Sequence, residues 1–132
     1  MKKILLAILS VFLLFSCSWN TQTNTNTTNT WSESLDVINP DADYLYFYWI
    51  TCPHCIKVAE YFKENDIMNK YKIEKREVWE NDANDKIFQK ELDDLWIKEE
   101  ERGVPFMIRK SDKKHFSWDK QIIEELKPIV TN

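Results

Sequence analysis

The chain has 132 residues, a formal charge of −4, 30% charged residues and 14% aromatic ones. That length holds one small domain, and six Trp, seven Phe and five Tyr give it the bulk for a core. The acidic balance, with no stretch gathering Lys and Arg onto one face among aromatics, leaves a phosphate-binding surface without a basis and argues against nucleic acid as a partner.

Met1, Lys2 and Lys3 form a basic start, and residues 4–15 are apolar except for Ser10, the charged-then-hydrophobic order of an export signal. The run is too short for the roughly 20 apolar residues that span a bilayer, because Ser16, Cys17, Ser18 and Asn20 end it. Leu14-Phe15-Ser16-Cys17 resembles a lipobox, where bacterial lipoproteins are cleaved before a cysteine that takes a lipid, although Phe15 is bulkier than usual there. The resemblance implies a signal peptide over residues 1–16, lipidation of Cys17, and an extracytoplasmic, membrane-anchored place in the cell envelope. The alternative is an ordinary signal followed by an incidental thiol. Parity favours the lipid: three cysteines cannot all pair, and acylating Cys17 leaves Cys52 and Cys55 together. Compartments outside the cytoplasm also tolerate disulfides.

Residues 17–40 are read as the tether. From Ser18 to Ser34, Asn and Thr dominate with no apolar periodicity, a composition that cannot bury enough surface to offset chain entropy. About 20 such residues have a root-mean-square span of roughly 25 Å, which keeps the domain near the membrane.

The domain is assigned to residues 41–132. Residues 44–50 are a continuous aromatic and β-branched run, the mark of a buried strand. Pro53 suits a first helical turn, and Cys55, Ala59 and Phe62, with Ile56 and Val58, recur at helical spacing up to Asn65. Residues 71–79 form a weaker strand, since charges fall on both of its faces.

Asn81 or Asp82 caps a second helix with Phe88, Leu92, Leu95 and Trp96 as its stripe. Gly103, the only glycine, is expected to stop this helix with φ above zero. Residues 106–109 and 115–118 read as two strands joined by a polar turn containing Asp112. Asp119 is expected to cap a last helix with Ile122, Ile123, Leu126 and Ile129 inward, and Pro128 to disrupt its final turn. Trp49, Trp79, Trp96 and Trp118 are read as core, with Trp49 near the edge of a substrate groove. Strand, helix, strand, helix, strand, strand, helix implies an α/β fold with a mixed central sheet of about four strands flanked by helices.

The chemistry lies in Cys52-Pro53-His54-Cys55. Cysteines three apart at a helix start lie on one side of the first turn, close enough to bond reversibly. Cys52 is the natural nucleophile, because unpaired N–H groups and the helix dipole favour a thiolate there, whereas Cys55 is more shielded. Pro53 stiffens the turn, and His54 brings positive charge or a hydrogen bond near the sulfur. Stabilising the thiolate favours the reduced form and makes the disulfide a stronger oxidant.

This quartet after an apolar strand, with Val104-Pro105 before another, resembles the thioredoxin superfamily over about residues 41–130. Cys-Pro-His-Cys itself is similar to the active site of the DsbA-type disulfide oxidases. The resemblance implies a thioredoxin-like fold, a redox-active Cys52–Cys55 disulfide, a cis Pro105 facing it, and a Val104 backbone that pairs with bound substrate. The chain lacks the inserted helical domain of the DsbA-type enzymes, and Tyr46 stands where many relatives bury an acid, so a proton on Cys55 needs another group or water.

The expected activity is therefore a dithiol oxidoreductase acting on exported proteins that carry thiols or disulfides. It leans to oxidation, with reductase or isomerase as the alternative direction. It works as a monomer without a cofactor, renewed by a membrane redox partner that the residues do not identify. A non-enzymatic lipoprotein with a static disulfide competes, as does a metal site using Cys52, His54, Cys55 and the distant His115, though one Cys pair is half a site. No metal is expected.

Overall fold

The computed structural model describes residues 36–130, so the segment read as an export signal, Cys17 and most of the segment read as a tether lie outside the described residues. The strand β1 (Tyr44–Tyr48) organises the molecule. It pairs in parallel with β2 (Ile73–Glu77) and antiparallel with β3 (Phe106–Arg109), and β4 (His115–Ser117) continues antiparallel beyond β3. The sheet order is β2-β1-β3-β4, the mixed four-stranded sheet expected.

All five residues of β1 are buried, which is why the strand reads as a continuous apolar run. Its alternation divides the core. Tyr44, Tyr46 and Tyr48 face the helices α1 (Pro53–Glu64) and α4 (Trp118–Val130), whereas Leu45 and Phe47 face Phe88 and Leu92 of α3 (Asp82–Asp94). The inward stripe of α1 is Cys55, Val58 and Phe62, while Ile56, expected beside them, is exposed. A short helix α2 (Ile67–Lys70), not foreseen in the sequence, follows a left-handed Asp66 and is anchored by the fully buried Ile67.

The charges that weaken the pattern of β2 have local partners. Glu74 is buried against Arg76 at 2.8 Å and Lys110 at 3.0 Å, and the buried Glu77 accepts the backbone N–H groups of Trp79 and Glu80. Buried charge is tolerated where it is paired or hydrogen-bonded in this way. Asp36 and Val37, at the end of the segment read as tether, bond to the free edge of β2. Val37 exchanges backbone hydrogen bonds with Lys75, and the Asp36 carboxylate accepts the Glu77 N–H at 2.8 Å.

Asn81 caps α3, accepting from the N–H groups of Ala83 and Asn84. The helix stops at Asp94 rather than at Gly103. Trp96 takes the left-handed position at φ 56°, the Ile97 N–H bonds to Leu92 O, and the Trp96 N–H bonds to Asp93 O. Those two bonds with the buried Ile97–Leu92 pair make a Schellman stop without glycine. Gly103 has no positive φ and sits against the Trp118 ring instead.

Three further expectations are corrected. Trp96 is 90% exposed and Trp79 65% exposed, and Trp118 is also exposed, so these three are not core; Trp49 is half-buried and stacks on Trp79 at 4.4 Å. Asp119 does not cap α4 but lies within its first turn, because the helix begins at Trp118. That helix also runs through Pro128 to Val130 instead of breaking there, with Ile122 and Leu126 fully buried.

Candidate functional site

The chain leaves β1 at Tyr48, crosses Trp49-Ile50-Thr51, and enters α1 with Cys52 as its N-cap residue in extended conformation and Pro53 in the first turn. Pro costs nothing there, since the N–H it lacks has no intrahelical partner. Both cysteines are free thiols, buried at 7% exposure for Cys52 and 2% for Cys55, with their side chains in contact.

Their partners differ. The Cys52 thiol donates to the carbonyl oxygen of Val104 at 3.6 Å, whereas Cys55 Sγ accepts the Trp49 N–H at 3.5 Å. Burial pushes the Cys55 thiol far above its ordinary range. The Trp49 N–H works against that rise, and Cys52 and the Glu77 charge add to it. Cys55 is held as a thiol, shielded from solvent.

The loop opposite the pair is pinned from two sides. The Val104–Pro105 peptide bond is cis, Pro105 is buried, and the Pro105 carbonyl accepts the N–H of Trp118 at 3.0 Å. Cys52, Val104, Pro105 and the first residue of α4 thus form one continuous constellation.

His54 is directed elsewhere than its sequence position suggests. Its Nδ1 lies 3.0 Å from Asp119 Oδ1, its ring meets Trp118 edge-on at 5.2 Å, and Lys57 Nζ approaches the other Asp119 oxygen at 3.4 Å. No hydrogen bond joins His54 to Cys52 among the described residues. Burial by itself would raise the Asp119 carboxyl, but the hydrogen bonds from His54 and Lys57 outweigh it and hold the group below the ordinary carboxylate range. Sequence reasoning missed Asp119 and Trp118 as neighbours of the site. Nothing in their local pattern reports that α4 delivers them to a turn 65 residues earlier.

Behind Cys55 the structure has a cavity of about 480 Å³, lined by Tyr46, Tyr48, Trp49, Ile56, Met68 and Lys75 among others. The hydroxyls of Tyr46 and Tyr48 are buried without a hydrogen-bond partner. His115, the distant histidine of the metal alternative, stacks on Phe106 in β4, away from the cysteines. No group of three or more His, Cys, Asp or Glu side chains able to hold a metal occurs among the described residues, nor does a helix long and apolar enough to cross a membrane.

Fold and site together define an α/β chain with a dithiol at a helix start, facing a cis-proline loop. Comparison with protein-family models, curated proteins and solved structures finds no match.

Proposed function

We propose that this chain is a thiol-disulfide oxidoreductase of thioredoxin-like fold, anchored outside the cytoplasm by a lipid on Cys17 and acting on exported proteins. The observation that carries the reading is the meeting of the Cys52 thiol, at the N-cap of α1, with the carbonyl that precedes the cis Pro105. Cys52 stands at the helix N-terminus where an attacking sulfur belongs, and the deeper burial of Cys55 suits a resolving partner.

In the oxidising direction a substrate thiolate attacks Cys52 Sγ of the enzyme disulfide, the Cys52–Cys55 bond breaks, and Cys55 leaves as a thiolate that takes a proton. A second substrate thiolate then attacks the substrate sulfur of the mixed disulfide and expels Cys52. The substrate gains the disulfide and the enzyme is left as the dithiol, to be reoxidised by a membrane redox partner. Run backwards, the same steps reduce or isomerise disulfides. The placement of Cys52 at a helix N-terminus is what supports the oxidising direction in this reading.

Replacing Cys52 by Ser abolishes turnover of a model dithiol or disulfide substrate. Replacing Cys55 by Ser traps exported proteins on Cys52, visible as adducts on non-reducing gels from the native host. A Cys55→Ser chain that collects no adducts, and a wild-type chain whose pair resists external dithiols, would show a static structural disulfide instead.

A further inference from the structure

A buried thiol that leaves or attacks must exchange a proton, and the carboxylate that would serve is absent from β1, where Tyr46 stands. Tyr46 and Lys75 are direct partners in the parallel β1–β2 ladder, so their side chains leave the sheet on the same face, the face of Cys55. Both line the cavity of about 480 Å³ that Cys55 also borders. Lys75 Nζ sits 4.9 Å from the centroid of the Tyr48 ring and forms no ion pair among the described residues. The Tyr46 and Tyr48 rings lie parallel, 5.6 Å apart, with hydroxyls that lack a protein partner. Buried hydroxyls are rarely left unsatisfied, and a space of about 480 Å³, largely apolar but carrying Glu60, Lys63 and Lys75 on its lining, has room for several waters.

We propose that Lys75 exchanges the proton of Cys55 through water held in this cavity and ordered by the hydroxyls of Tyr46 and Tyr48. The inference rests on the oxidoreductase reading above. When Cys55 attacks the mixed disulfide, its proton passes through water to the uncharged form of the Lys75 amine, the form that burial favours. The Cys55–Cys52 bond forms, the bond from Cys52 to substrate breaks, and the substrate sulfur leaves with the electron pair. In the oxidising direction the Lys75 ammonium returns that proton to the departing Cys55.

Other charged groups surround the path. Glu60 and Lys63 of α1 border the same cavity, Asp36 acts on Lys75 from the edge of β2, and Cys52 adjoins Cys55. Glu77 is near enough to act on Cys55, but both of its carboxylate oxygens are occupied by the N–H groups of Trp79 and Glu80. Desolvation lowers the affinity of Lys75 for its proton, against a smaller opposing effect of Asp36, which suits a group that must release and recover one.

The test is stopped-flow reaction of the reduced full chain, carrying Cys17→Ser to remove the third thiol, with dithiobis(nitrobenzoate). The first coloured thiolate released reports attack by Cys52, and the second reports resolution by Cys55. Lys75→Met should slow the second phase by about tenfold or more near neutral pH, leave the first within about twofold, and make the second follow hydroxide concentration. Lys75→Arg keeps the charge but cannot release a proton, so it should be as slow as Lys75→Met; Tyr46→Phe should slow the second phase about threefold, and Glu77→Gln should not. A normal second phase in Lys75→Met, recovery in Lys75→Arg, or loss confined to Glu77→Gln overturns the relay while the oxidoreductase reading stands. Absence of the first phase in the wild-type chain overturns that reading itself.

Discussion

His54 Nδ1 lies 3.0 Å from Asp119 Oδ1, joining the turn between the two cysteines to the first turn of α4. An ionised carboxylate only accepts, so Nδ1 carries the hydrogen of this bond. The carboxylate therefore sets an anion directly behind the one basic group between the two cysteines. Its field opposes that of His54 at the sulfurs.

Removing the two partners should accordingly move the reduction potential in opposite directions. His54→Ala makes the protein less oxidising, and Asp119→Asn makes it more oxidising, each by roughly 10–30 mV for a partly solvated charge. Equilibration of each variant with glutathione buffers reads the shift. Equal signs for the two variants would refute the opposing-field account.

The folded, reduced chain should lose stability in alkali. Cys55 is raised above its ordinary value of 9.0 by burial, Tyr46 well above 10.0 by burial, and Tyr44 and Tyr48 to about 12, each mainly by burial. Above pH 9 the native chain thus holds more protons than the unfolded one, so stability falls as pH rises through the unfolded values toward the folded ones. For a single group the slope reaches at most about 1.4 kcal/mol per pH unit. Urea midpoints of the reduced protein between about pH 8 and 11 should decline, and Cys55→Ala should remove the earliest part of the decline. A pH-independent midpoint would contradict this.

Trp96 adopts φ 56° at the end of α3 and is almost fully exposed, so its ring contributes little while its backbone is strained. Trp96→Gly should stabilise the domain by about 0.5–1 kcal/mol, seen as a raised melting temperature. Gly103→Ala should be close to neutral, because Gly103 lacks a positive φ and a Cβ there would meet Trp118 only at 4.0 Å.

Asn84 is the polar knot between the amino-terminal segment, β2 and α3. Its Nδ2 donates to Asp36 Oδ2 at 2.7 Å and to Glu77 O at 2.9 Å, and its Oδ1 accepts from Arg76 at 2.9 Å. Asn84→Ala leaves those groups without their buried partner and should cost roughly 2–3 kcal/mol in chemical denaturation. A loss under about 0.5 kcal/mol would show that water replaces it freely.

What the amino-acid order determined by itself was whatever local physics controls. The doubly buried β1, the Cys52 cap with Pro53 in the first turn of α1, the Asn81 cap of α3 and the hairpin of β3 and β4 all follow from apolar runs, capping residues and turn chemistry. The cysteine pair was legible for the same reason, because a spacing of three at a helix start places both sulfurs without help from distant residues. Tertiary structure decided the rest. Trp96, unlike Gly103, closes α3 because burying Ile97 against Leu92 offsets the left-handed backbone. Asp119 meets His54 because α4 docks against α1, with the Trp118 N–H bonded to the Pro105 carbonyl beside the cysteines. Lys75 shares a cavity with Cys55 only through the register that sets it opposite Tyr46. Each of these depends on strand register or helix docking, and neither leaves a periodic trace in the local sequence.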